Sequence, residues 1–129
     1  MPQTITRSAK DIVQQARSEV PTISVEEAQK LVGSPDHVFV DLRDAPEQKK
    51  TGIIEGAISS SRGMVEFHID PESPAHNPAF RQDKTFVFYC ASGGRSALAA
   101  KAAMDMGLSP VVSMDGGVGA WTKAGGALV

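Results

Sequence analysis

The chain has 129 residues and a mass of 13.6 kDa, with 41% hydrophobic and 22% charged residues, a composition typical of one globular domain rather than a disordered chain. Its net charge of -2 at pH 7 offers no electrostatic basis for binding nucleic acid or an anionic membrane. The N-terminus has no continuous apolar run, and no apolar segment approaches the ~20 residues that span a bilayer, so we expect a cytoplasmic protein.

The N-terminal third predicts two helices followed by a strand. Apolar residues at helical spacing predict a helix over residues 4–17. Ser24 and Glu27 form a capping-box pattern, which predicts a second, short helix through Leu31. The apolar run 37–40 predicts a buried strand.

The middle of the chain predicts two short elements and a long irregular segment. Residues 46–50 are predicted to form a short charged helix closed by Gly52, and residues 56–58 a short strand. Residues 59–83 contain three prolines, which predicts a loop with one helical turn at 64–67.

The part of this loop from residue 62 to residue 80 has no apolar periodicity, so we expect it to add little to the core. Loops longer than about 15 residues usually have a function. One hypothesis is that this segment borders the reactive cysteine described below, with Arg62 and Phe67 as contacts. A passive surface loop is the alternative.

The C-terminal third carries the clearest elements. Residues 85–89 are the strongest strand signal in the chain. Residues 95–106 are rich in alanine and are followed by Gly107, which predicts a helix with a defined end. Residues 110–114 predict another strand, and a last helix contains Trp121.

Short buried strands that alternate with helices predict an α/β fold with a mostly parallel sheet and helices on both faces. No internal repeat or linker divides the chain. We therefore place one domain at residues 23–127 and interpret residues 1–22 as an N-terminal helical extension packed on it.

The sole cysteine, Cys90, directly follows the strongest strand, and ligands of parallel sheets bind at the carboxyl ends of strands. Arg95 follows after four residues, at the predicted start of a helix. A glycine-rich turn lets backbone N–H groups converge on one point, and a helix N-terminus favours negative charge there. We expect Arg95 and the helix end to favour the thiolate of Cys90. The loop candidates are Ala91, Ser92, Gly93, Gly94, Arg95 and Ser96.

Each of these residues also has a plainer interpretation. Cys90 is also consistent with a small buried side chain that only packs at a strand end. Arg95 is also consistent with an exposed charge at the start of a helix. Asp41 and Arg43, after the strand 37–40, are candidates for orienting the loop, with a structural ion pair as an equally good interpretation. Glu47 is interpreted as a solvated helix charge.

Several segments together resemble the rhodanese family. Residues 90–96, CASGGRS, are similar to its active-site loop Cys-x-x-Gly-x-Arg-Ser. Upstream, residues 40–43, Glu47 and residues 52–58 resemble its Asp-Val-Arg, Glu and Gly-His-Ile-Pro-Gly-Ala elements. Downstream, residues 115–121, DGGVGAW, resemble its Asp-Gly-Gly-x-x-Ala-Trp signature. The matches occur in order over nearly the whole chain.

This resemblance implies a single rhodanese-like domain that acts as a sulfurtransferase. A donor such as thiosulfate would load Cys90 as a persulfide, and cyanide or a thiol would remove the sulfur. The partners implied are small molecules, with no nucleic acid and no membrane. Both a monomer and a homo-oligomer are compatible with the sequence. The three histidines lack metal-ligand spacing, and no phosphate-binding or dinucleotide-binding motif is complete, so we expect neither metal nor cofactor.

Two other functions compete with this interpretation. Cysteine-dependent phosphatases and arsenate reductases also place a cysteine loop before a helix, but they resemble Cys-x5-Arg, one residue longer than the spacing from Cys90 to Arg95. A binding or regulatory module that keeps the fold without turnover is the third candidate, although silent relatives usually lack the cysteine.

Overall fold

A computed structural model describes residues 1–129. Its helices and strands are α1 (Ala9–Glu19), β1 (Thr22–Ile23), α2 (Val25–Gln29), β2 (His37–Asp41), α3 (Ala45–Thr51), β3 (Ile58–Ser59), α4 (Val65–Ile69), a 3₁₀ turn (Pro78–Arg81), β4 (Thr85–Tyr89), α5 (Gly94–Met106), β5 (Val111–Met114) and α6 (Gly117–Lys123).

All five strands pair in parallel in the order β1-β5-β4-β2-β3. Strand β4 therefore lies in the centre, and its last residue, Tyr89, is paired with Asp41 at the end of β2. Because parallel strands end at one edge, the chain that leaves β4 lies beside the chain that leaves β2. The predicted α/β class with a parallel sheet is confirmed.

Helices cover both faces of the sheet, as predicted. Along β4, Phe86 and Phe88 belong to one buried cluster, whereas Val87 and Tyr89 belong to the other, as expected when alternate side chains of a strand point to opposite faces. The first cluster contains three buried alanines of α5, and the second contains Trp121 of α6. Burial on both faces explains why the central strands are continuous apolar runs.

The first helix begins later than predicted. Residues 4–8 lie outside α1, because the Ser8 hydroxyl accepts the N–H of Asp11 while the Asp11 carboxylate accepts the N–H of Ser8. This capping box fixes the helix start, and Ile5 is left exposed. The predicted capping box of α2, between Ser24 and Glu27, is confirmed.

The expectation that residues 62–80 add little to the core is wrong. Val65 and Ile69 of α4 and Phe80 of the 3₁₀ turn are buried in the same cluster as β4. The spacing of four between Val65 and Ile69 places both on one helix face. The pattern is too short to be detected as periodic.

Helix α1 packs against α5, the helix that follows Cys90. Ala16 is buried, and Val20, directly after α1, joins the cluster beneath α5. No helix has both the length and the apolar character needed to cross a membrane.

Candidate active site

Cys90 lies at the end of β4, in a loop that folds around its sulfur. The residue is 1% exposed. The N–H of Gly93 donates to Sγ at 3.1 Å, and the N–H of Ser96 does so at 3.4 Å. Gly93 has a φ of 103°, which glycine adopts without strain. The predicted convergence of backbone donors on one point is therefore present, and the sulfur atom occupies that point.

Ser96 approaches the sulfur with its side chain as well. Its Oγ is 3.7 Å from Sγ of Cys90, and both Ser96 and Ser113 are buried. The two serine hydroxyls are 3.0 Å apart, and Ser96 Oγ lies 3.2 Å from the carbonyl oxygen of Gly93, which competes with the sulfur for the single hydroxyl proton of Ser96. Ser113 of β5 was not identified from the sequence, because nothing in a short strand indicates which neighbouring helix a serine will contact.

These contacts favour the thiolate. Burial of Cys90 raises the pKa of its thiol, but hydrogen bonds from the Ser96 N–H, the Ser96 hydroxyl and the N–H groups of Ser92 and Gly93 outweigh burial. The pKa consequently lies below its ordinary value. The predicted direction is confirmed, and the dominant cause is the loop itself rather than Arg95.

Arg95 is engaged with a carboxylate. Its Nη1 and Nη2 lie 2.8 Å and 2.7 Å from the two oxygens of Glu47 in a bidentate pair. The pair lowers the pKa of Glu47 to about 2 and raises the pKa of Arg95, to which the charge of Cys90 also contributes. The interpretation of Glu47 as a solvated helix charge is wrong, because the first turn of α3 lies beside the loop and brings Glu47 to Arg95.

Asp41 and Arg43 form a second pair at the same edge. Arg43 Nη2 is 2.8 Å from Asp41 Oδ2, and both residues are at most 2% exposed. Arg43 also donates to Thr51 Oγ1 and to the carbonyl of Gly52, each at 2.8 Å. The bonds join the end of β2 to the end of α3, which favours the ion-pair interpretation of Asp41 and Arg43.

The N-terminus of α6 holds the loop from the other side. The N–H groups of Val118 and Gly119 donate to the carbonyls of Cys90 and Ala91 at 2.8 Å and 3.1 Å. A Cβ on Gly117 would lie 2.4 Å from the carbonyl oxygen of Cys90. Glycine is required there because the start of α6 touches the loop backbone.

A surface cavity of about 320 Å³ opens beside Ala91. Its lining comes from the end of β2, from α3, from the loop and from α6: Arg43, Glu47, Lys50, Thr51, Ala91, Val118 and Gly119. The cavity provides space for a substrate next to the loop. The structure thus gathers the predicted loop residues and Glu47 at one sheet edge.

A model of the rhodanese-like domain family matches residues 24–124. A sulfurtransferase of Allochromatium vinosum is 31% identical over 76% of this chain and 83% of its own length. A thiosulfate:glutathione sulfurtransferase of Saccharomyces cerevisiae is 30% identical over 84% of this chain and 83% of its own length. The structure of a Rhodopseudomonas palustris protein of unknown function, described as a possible tyrosine phosphatase, is 52% identical with a TM-score of 0.96, covering 100% of this chain and 99% of that one.

Proposed function

Because the chain belongs to the rhodanese-like domain family, we propose that it moves the outer sulfur atom of thiosulfate, or of a similar anion, to an acceptor through a persulfide on Cys90. The observation that carries the proposal is the set of N–H donors around Sγ, which lowers the pKa of the thiol. The names of the two sulfurtransferase relatives support the same reaction.

In the first half-reaction the Cys90 thiolate attacks the outer sulfur of thiosulfate. A bond forms between Sγ and that sulfur, and the sulfur–sulfur bond of thiosulfate breaks with its electron pair leaving on sulfite. The negative charge then lies on the terminal sulfur of the persulfide. Because the thiol has a lowered pKa, the attack requires no separate general base.

In the second half-reaction an acceptor attacks the terminal sulfur and the Cys90 thiolate leaves. Cyanide would give thiocyanate, and a thiolate would give its own persulfide; both steps conserve charge. Glutathione is the thiol we propose to test first, since the yeast relative bears it in its name. The cavity beside Ala91 has room for such an acceptor.

Intact mass measured after incubation with thiosulfate tests the mechanism. We expect one added sulfur atom, removed by cyanide, and thiocyanate formation in a coupled assay. Cys90→Ser should lose both signals while remaining folded, because it conserves the volume of a small buried side chain. Thiocyanate formation by the serine variant would overturn the persulfide mechanism. A parent protein that folds but never takes up sulfur would favour the non-catalytic binding module.

A cysteine-dependent phosphatase is the second candidate, favoured by the description of the Rhodopseudomonas palustris protein. Against it stands the loop, since Cys90 and Arg95 are separated by four residues and the guanidinium of Arg95 binds Glu47. We expect negligible hydrolysis of an aryl phosphate under conditions that give thiocyanate. Hydrolysis that exceeds sulfur transfer and depends on Cys90 would reverse this ranking.

A further inference from the structure

The helix that precedes the family-matched region reaches the cysteine loop. Residues 24–124 match the family, whereas α1 ends at Glu19. A Cβ built on Gly94 would lie 3.7 Å from Val13 Cγ2, and a Cβ built on Gly93 would lie 2.8 Å from Arg17 Nη2. Helix α1 thus places a guanidinium directly against the residue whose N–H donates to the Cys90 sulfur.

The charge of Arg17 is less neutralised than that of the other arginines at this edge. Arg95 is bonded to both oxygens of Glu47, and Arg43 is buried against Asp41. The carboxylate nearest to Arg17 belongs to Asp115, at 3.9 Å, a distance too long for a hydrogen bond. The side chains are 41% and 62% exposed, so Arg17 can contact a solute.

We propose that Arg17 is a specificity-determining residue that attracts anionic sulfur donors to Cys90 and selects them over neutral ones. The assignment rests on the proposed sulfur transfer. A guanidinium binds oxyanions with paired N–H groups, and the sulfonate end of thiosulfate is such a group. The donor class predicted is therefore thiosulfate and organic thiosulfonates.

Alkylation of Cys90 tests the electrostatic part without any turnover. Iodoacetate and iodoacetamide react with the same sulfur, but only iodoacetate is negatively charged. In Arg17→Gln we expect the ratio of the iodoacetate rate to the iodoacetamide rate to fall about 2- to 5-fold, the range of an exposed charge contact. Arg17→Lys should recover much of the ratio, and Asp115→Asn should raise it, because that variant removes the neighbouring negative charge.

Two matched variants control for a general loss of positive charge. Arg7→Gln makes the same change ahead of α1, where Arg7 is bonded to Gln15. Lys123→Gln removes a positive charge from the exposed last turn of α6, whose first turn is the part that contacts the loop. Both should leave the ratio within error of the parent. An equal fall in either control, or no fall in Arg17→Gln, overturns the assignment.

Steady-state kinetics test the donor preference. Methanethiosulfonate carries the same outer sulfur as thiosulfate but one negative charge instead of two. Arg17→Gln should raise KM for thiosulfate with little change in kcat, and the logarithm of that increase should be about twice the value for methanethiosulfonate. At ~1 M salt the difference between variant and parent should shrink.

The two experiments separate the two proposals. Absence of sulfur transfer in the parent protein with an intact Arg17 effect on alkylation would contradict the proposed function and leave the cationic contact in place. Sulfur transfer with an unchanged thiosulfate KM in Arg17→Gln would leave the function in place and overturn the role of Arg17. If Arg17→Gln changes kcat and KM equally for both donors, α1 has only a structural role. This outcome would also overturn the proposed role of Arg17.

Discussion

Two arginine–carboxylate pairs lie at the same edge of the sheet, and they differ mainly in burial. Arg43 and Asp41 are at most 2% exposed, and Arg43 has further partners in Thr51 and Gly52. Arg95 and Glu47 are about one-third exposed; Glu47 is the side-chain partner of Arg95, and the Glu47 carboxylate also accepts the N–H of Asp44 at 2.9 Å. Water screens the second pair and not the first.

This difference separates a structural role from an electrostatic one. When the partner of a buried charge is removed, no water can take the partner's place, and the unpaired charge destabilises the fold. A half-exposed pair is weak in stability terms, but it sets the charge beside Cys90, because Glu47 reduces the positive potential that Arg95 would otherwise exert.

The largest effect is expected from the buried pair. Arg43→Ala should lower the free energy of unfolding by about 3–5 kcal/mol, because Asp41 would remain charged and buried. Urea denaturation at pH 7 measures this, with Arg95→Ala as the control, for which we expect a loss of at most about 1 kcal/mol. A double variant, Asp41→Asn with Arg43→Leu, should lose less than Arg43→Ala alone. Equal losses for the two arginine variants would contradict the distinction by burial.

The second prediction concerns the pKa of Cys90 and distinguishes activation by the loop from activation by the half-exposed pair. Ser96→Ala removes one hydroxyl near the sulfur and keeps the N–H, so the pKa of Cys90 should rise. The pH dependence of iodoacetamide alkylation measures it. Ser113→Ala should shift the midpoint less, since Ser113 contacts Ser96 and not the sulfur. An unchanged midpoint in Ser96→Ala would remove the hydroxyl from the mechanism.

Smaller shifts of opposite sign are expected from the two members of the exposed pair. Arg95→Ala removes a positive charge and should raise the pKa of Cys90, whereas Glu47→Gln frees that charge and should lower it. Each shift should be smaller than the shift in Ser96→Ala, because solvent screens both groups. The same alkylation measurement applies. If Arg95→Ala shifts the midpoint more than Ser96→Ala does, the arginine and not the loop is the main activator.

The smallest effect is expected in the pH dependence of the stability that the pair of Glu47 and Arg95 contributes. Folding lowers the pKa of Glu47 from 4.5 to about 2, so the carboxylate contributes stability above about pH 4.5 and loses that contribution as the pH falls toward 2. The difference in free energy of unfolding between the parent and Glu47→Gln should be at most about 1 kcal/mol at pH 7. In urea titrations it should shrink as the pH falls from 4.5 and approach zero only below about pH 2. A constant difference across this range would show that Glu47 does not stabilise through its charge.

The sequence alone predicted the strands and the helix around Cys90 almost to the residue. Residues 85–89 are β4 as predicted, and the helix predicted over 95–106 is α5 with one residue added. These elements are decided locally, by a β-branched and aromatic run, by alanines and by Gly107 at the helix end. The loop between them was predicted for the same reason, since its glycines and its place after a strand are visible without a fold.

The roles of the charged residues were not predictable in this way. The bond between Arg95 and Glu47 joins residues 48 positions apart in the chain, and the contact of Arg17 with Gly93 brings α1 to a loop more than seventy residues away. The burial of Val65, Ile69 and Phe80 in segment 62–80 was not predictable either, because these apolar residues do not follow a helical or strand periodicity long enough to detect.

What the sequence by itself determined is therefore the order of the elements, the family motifs and the cysteine at the end of the central strand. Those properties depend on backbone preferences and short-range spacing. Only the tertiary structure decided which arginine is buried, which is paired beside the loop and which stays open to solvent. Burial and charge pairing arise from contacts between elements that are distant in sequence, and such contacts exist only once the parallel sheet has brought the strand ends together.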